Sequence, residues 1–157
     1  MPGKLFLQVE TSTQGNIEGS VTQVGFENKI GVYHTHHLVD TQIDVIGRVR
    51  GRGTIHPLII TKDIDKATVP FYNAWYRNEM VTQFILEYYR VDQQGALSLY
   101  YTIELEQARI ESIEQILVEN DLGMVVEREV VKFASRKITW TFADGGLMAL
   151  AGSSRGA

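Results

Sequence analysis

The chain reads as mainly β, its strands wrapped into a barrel or two packed sheets with one short helix beside them. Three observations predict this. Apolar residues alternate with polar ones, the period of a half-buried strand, along most of the sequence. Two of these alternating runs switch their apolar parity midway, as a strand does when it passes from one sheet to another through a bulge or bend. Only one segment shows helical spacing.

"KLFLQVE" (4–10) predicts the first strand, and the polar, glycine-containing "TSTQGNIEGS" (11–20) a loop. In "FENKIGVYHTHHLV" (26–39), Phe26, Ile30, Val32, His34, His36 and Leu38 share one face and Tyr33, Thr35 and His37 the other. The Gly- and Arg-rich stretch 40–56 reads as an extended, irregular loop, leading into the apolar strand "IHPLIIT" (55–61). "TVPFYNAWYRNE" (68–79) predicts the helix, with Thr68 as its cap, Pro70 in its first turn and Phe71, Ala74 and Trp75 at helical spacing.

"VTQFILEYYRV" (81–91) then returns to strand, and "DQQG" makes a turn. The run "ALSLYYTIELEQARIESIEQILV" (96–118) far exceeds an ordinary strand of about 5–6 residues, and its parity changes between Glu106 and Ile110, which places a bend there. "EVVKFASRKITWTFADG" behaves alike, Val131 and Phe133 on one parity and Ile138, Trp140 and Phe142 on the other. Residues 147–157, small and glycine-rich, read as a frayed tail. The whole chain, 1–157, reads as one domain.

Composition narrows the function. With 157 residues and 44% hydrophobic content the chain can build its own core. A net charge of -4 gives no general reason to bind nucleic acid or an anionic membrane. No cysteine is present, which excludes disulfides, thiolate metal sites and cysteine nucleophiles. No apolar run near the start has the length of a secretory h-region, and none elsewhere reaches the 18 residues that predict a membrane helix, so neither signal-peptide export nor membrane insertion is expected.

The metal-ligating candidates are the histidines of "HTHH". His34 and His36 share a strand face and His37 faces away, so the cluster supplies two ligands; a third would have to be His56, Asp40 or Asp44. Polar strand residues at a rim or interface are the preferred reading, and no metal or other cofactor is expected. "GRVRGRG" (47–53) brings Arg48, Arg50 and Arg52 together, but it lacks the Gly-Lys-Ser/Thr ending and following helix of a phosphate loop. A basic segment that meets an acidic protein surface is preferred over nucleic acid. Ser20 lies in no nucleophile elbow, and Glu104, Glu106, Glu111 and Glu114 read as a solvated strand face, so no catalytic residue is expected.

At "HPLIITKDIDKATVPFYNAWYRNE" (56–79) the chain resembles the Hcp family (hemolysin-coregulated protein), the tube proteins of the type VI secretion system. Thr61-Lys62, the triplet Ile64-Asp65-Lys66, the helix start at Thr68 to Pro70 and Tyr72 carry the likeness. "YYTIELEQARIESI" (100–113) and "EVVKFASRKITWTFADGG" (129–146) agree, as do "NIEGSV" and "KIGV" near the start, with His37 at a position where the family often has histidine.

The resemblance implies a compact β-barrel of two sheets with one flanking helix. It further implies hexameric rings that stack into a tube inside a contractile sheath and beneath a spike. Sheath contraction expels the tube, which accommodates small effector proteins in its channel. It implies a protein that is cytoplasmic before firing and secreted afterwards without a signal peptide, and that is not an enzyme. Residues 40–56 would be the loop by which rings meet, with Arg48, Arg50, Arg52 and His37 at the contact. The histidines would then make assembly sensitive to pH. The alternatives are a monomeric β-barrel that binds a small ligand inside, and a metal-dependent enzyme built on His34 and His36.

Overall fold

The computed structural model describes residues 4–152. In chain order the strands are β1 (Lys4–Thr11), β2 (Gly15–Ile17), β3 (Ile30–Val32), β4 (His34–His36), β5 (Val39–Ile43), β6 (Val49–Ile55) and β7 (Leu58–Asp63). Helix α1 (Thr68–Tyr76) follows, then β8 (Val81–Val91), β9 (Leu97–Glu106), β10 (Arg109–Glu119), β11 (Val125–Ala134), β12 (Lys137–Phe142) and β13 (Leu147–Gly152).

The strands form a seven-stranded sheet A, ordered β13-β12-β9-β8-β1-β2 with β3 also on β1, and a four-stranded sheet B, ordered β10-β11-β7-β4. A separate two-stranded ribbon pairs β5 with β6. The mainly β, two-sheet architecture with one flanking helix is as expected. Among the described residues the two sheets do not close into one barrel: β13, β2, β10 and β4 end their ladders, and apart from the strand ladders one isolated bridge, Val81 to Ala108, is formed.

The parity switches are where the chain changes sheet. Gln107, with φ at 53°, separates β9 in sheet A from β10 in sheet B, so the alternation restarts on the other side of the core. The break after Ala134 likewise passes the chain from β11 in sheet B to β12 in sheet A. A third crossing corrects the single strand expected over 26–39. Tyr33 leaves sheet A, so Ile30 and Val32 are buried while His34 and His36, on the same parity, are exposed.

The core lies between the sheets. Leu7 and Val9 of β1, Phe84 and Leu86 of β8, and Ile103 and Leu105 of β9 face Leu58 and Ile60 of β7 and Val131 and Phe133 of β11. From α1, Phe71 and Ala74 close one end, and the Phe133 ring meets Phe71 at 5.8 Å and Phe84 at 4.8 Å, both edge-on. A smaller cluster on the outside of sheet A stacks Phe26 on Phe6 at 4.4 Å, with Tyr89 edge-on to both.

Two local expectations are corrected. Thr68 does not cap α1; Asp65 does part of that work, its Oδ1 accepting from the Ala67 N–H at 2.9 Å, while the Thr68 hydroxyl turns inward to Glu129. Asn78, at φ 53°, stops the helix as a left-handed residue. Leu147–Gly152 is not part of a frayed tail but pairs along the whole of β12. Residues 153–157 of that tail lie outside the described residues.

Gly19 of "NIEGSV" has a steric reason to be glycine. A Cβ there would stand 2.4 Å from the Lys29 carbonyl oxygen and 2.6 Å from the Ile30 Cα, both backbone atoms that cannot rotate away. Gly19→Ala is therefore expected to cost about 1–3 kcal/mol, the range for overpacking a tight site. A lower urea midpoint at unchanged slope would show it.

Candidate self-assembly surface

The segment 40–56 is a built structure and not an irregular loop. β5 and β6 pair antiparallel, Val39 with Ile55 and Ile43 with Val49, and the register slips between Asp40 and Gln42 to absorb the glycines. Asp44 makes the turn: its Oδ1 accepts from the N–H groups of Ile46 at 3.1 Å and Arg48 at 2.9 Å, and Gly47 takes φ 88°. At the root, His56 and Asp40 pair at 3.0 Å, and the His56 N–H donates to the Leu38 carbonyl.

This arm carries little protein against it. Ile43, Val45, Ile46 and Val49 are all exposed, Val45 fully. Arg48 and Arg50 are exposed too, Arg48 lying 3.6 Å from Asp44. Arg52 is a residue of β6 whose side chain lies outside the described residues. The arm thus mixes apolar and cationic groups. The apolar share was missed in the sequence because neither face of the ribbon is buried, so no alternation marks it.

His37 sits apart from the arginines, half-buried just before β5. The Trp140 indole N–H donates to its Nε2 at 3.2 Å, which places the imidazole proton on Nδ1, a buried atom with no hydrogen-bond partner among the described residues. Burial, and secondarily the charge of His36, hold its pKa below the usual imidazole value. The sign follows. The unfolded chain takes up a proton near pH 6.5 that the folded chain refuses, so this stability is complete above that pH and is lost as pH falls below it. Melting temperature is expected to drop between pH 7.5 and 5.5, and to drop less in His37→Phe.

His34 and His36 stand exposed on one face of β4, and His56 is engaged with Asp40. Among the described residues no group of three or more histidine, aspartate or glutamate side chains is placed to hold a metal ion.

Sheet B carries a second projection. β10 and β11 run on past the end of β7, whose last pair is Asp63 with Arg128, to Leu117 with Glu127 and Glu119 with Val125. Asn120 builds the connecting turn, its Oδ1 accepting from Leu122 at 2.9 Å and Met124 at 3.0 Å. Leu117, Leu122, Met124 and Val125 are exposed, as are Glu119, Asp121 and Glu127.

Projecting ribbons, open sheet edges and uncovered apolar side chains are the features of a surface suited to contact with other proteins. Residues 6–142 match the family described as "Type VI secretion system effector, Hcp", and the chain belongs to that family. It is 33% identical over 132 residues to the "Major exported protein" of Pseudomonas aeruginosa, covering 82% of this chain and 77% of that one.

Among solved structures it resembles an Hcp protein crystal structure with a TM-score of 0.89 and 25% identity, over 96% of this chain and 98% of the other. The fold also matches the Hcp1 protein of Escherichia coli EAEC 042, with a TM-score of 0.84 and 23% identity over 95% and 97% of the two chains. No helix among the described residues is long and apolar enough to cross a membrane.

Proposed function

We propose that this protein is the ring subunit of a type VI secretion inner tube. Six copies close a ring, rings stack head to tail, and sheath contraction drives the stack out of the cell beneath its spike. Effector proteins ride in the channel. The subunit waits in the cytoplasm until it is expelled, and contributes assembly and mechanical transfer with no bond-making chemistry. The observation that carries the reading is the family match over residues 6–142 together with an arm that leaves Val45 fully exposed. Such a surface suits a standing protein partner.

Within this reading the arm, with Arg48, Arg50 and Arg52, is the contact from one ring to the next, and His37 holds its root against Trp140. Around the ring, the outward apolar row of α1, Val69, Tyr72 and Tyr76, is available for lateral contact.

Light scattering and electron microscopy test it. Particles of about six protomers of 17.7 kDa with a central hole are expected. A monomer at micromolar concentration would favour the small-ligand barrel and overturn the ring. Replacing Arg48, Arg50 and Arg52 by glutamate should leave rings intact and stop stacking; unchanged stacking would remove the arm from the contact.

A further inference from the structure

The stacking role of the arm leaves open what it seats on. We propose that the arm of one ring docks on the β10–β11 hairpin end of a second copy of this chain in the next ring. This rests on the ring-stacking reading above and adds the receptor.

Placement comes first. The arm leaves sheet B where β4 ends and β7 begins, beside the pair His36 and Ile59. The β10–β11 end leaves sheet B beyond the opposite terminus of β7, past Asp63 and Arg128. The two projections therefore belong to opposite ends of one sheet. A contact between unlike ends is heterologous, and it repeats along an axis without closing.

Chemistry is complementary as well. The arm offers Val45, Ile46, Arg48 and Arg50. On the hairpin end, the cross-strand pairs Leu117 with Glu127 and Val125 with Glu119 put two apolar and two acidic side chains on one face, and Asp121 and Leu122 extend that mixture into the turn. Neither Glu119 nor Asp121 has a basic partner within the described residues, and Glu127 is met by the Gln115 amide alone.

The other exposed apolar rows fit less well. Strand β13, with Leu147, Met148 and Leu150, contains no acidic residue, and the outward row of α1 runs into Arg77, which would repel the arm. Cationic arm and anionic receptor also favour the correct head-to-tail encounter over arm against arm.

The absence of cysteine makes the test clean. Val45→Cys and Leu122→Cys, combined in one chain and mildly oxidised as concentrated rings, should give a ladder of covalent multimers extending beyond six protomers. Each single-cysteine variant should stop at dimers. A second arm of the experiment exchanges charge. Glu119→Lys with Asp121→Lys and Glu127→Lys should shorten or abolish tubes while rings persist, as should Arg48→Glu with Arg50→Glu, and combining the two sets should restore stacking. No ladder in the double-cysteine protein, or tip reversals that stack like the parent while arm reversals do not, would overturn the receptor and leave the arm's role standing. If the arm reversals also stack normally, the ring-contact reading of the arm fails instead.

Discussion

Lys62→Met is expected to destabilise the folded chain by about 3–5 kcal/mol, because it strands a buried carboxylate. Lys62 and Glu129 are both fully buried and lie directly opposite each other on β7 and β11. The Lys62 ammonium reaches Glu129 Oε2, Asp65 Oδ1 at 2.7 Å and the Asp63 carbonyl at 3.0 Å, and stands 5.4 Å from the centre of the Phe71 ring. The Thr68 hydroxyl donates to the same Glu129 oxygen at 2.9 Å. Glu129 Oε1 already lacks a hydrogen-bond partner among the described residues, so without the lysine the carboxylate keeps only Thr68.

The same logic predicts a recovery. Lys62→Met combined with Glu129→Leu removes both charges, and replacing a buried pair by apolar side chains is often close to neutral. The double variant should therefore be much more stable than either single one in urea unfolding, a strongly non-additive cycle. Two single costs that simply add would refute the pairing. The lysine anchors the link from β7 to the start of α1, within the segment 56–79 whose residues carry the family resemblance.

Phe133→Ala should cost a comparable amount, about 3–5 kcal/mol, the range for truncating a buried aromatic. Phe133 belongs to sheet B, Phe84 to sheet A and Phe71 to the helix, and the Phe133 ring meets both of the others edge-on. Removing it opens a void where three layers meet, and no single neighbour can close it. Phe133→Leu should retain more of the stability, since it fills much of the same volume. A calorimetric melting series of the parent and both variants orders the three. Equal melting temperatures for Phe133→Ala and the parent would mean the layers are held together elsewhere.

Legibility in the sequence followed burial. β8 was readable from a run of apolar and aromatic residues on both of its faces, and the bend between β9 and β10 showed as a parity switch, because each of those two strands buries one face and the alternation records it. β13 and the arm were not readable for the converse reason. Leu147, Met148 and Leu150 are exposed, as are both faces of the ribbon, so nothing in their pattern distinguishes inside from outside. Nothing in the sequence marks Lys62 and Glu129 as a buried pair, since charge alone does not reveal a partner on a neighbouring strand. Glu104, Glu106, Glu111 and Glu114 read as a solvated strand face, and nothing in the sequence singles out Glu119 and Glu127; only the pairing of Glu119 with Val125 and of Glu127 with Leu117 makes a defined face of them. The arginines of the arm were visible, its valines and isoleucines were not.

An arm at one end of sheet B and an acidic, apolar hairpin at the other make the subunit directional. A filament built by seating one on the other has two chemically different tips, one presenting free arms and one presenting free receptors. Growth can then proceed at unequal rates from the two ends, and a cap needs to recognise only one of the two surfaces to block its own end. In such a filament every added copy would recreate the site it consumed, so the contact would carry no ruler, and the length would have to be set by something that meets the tips.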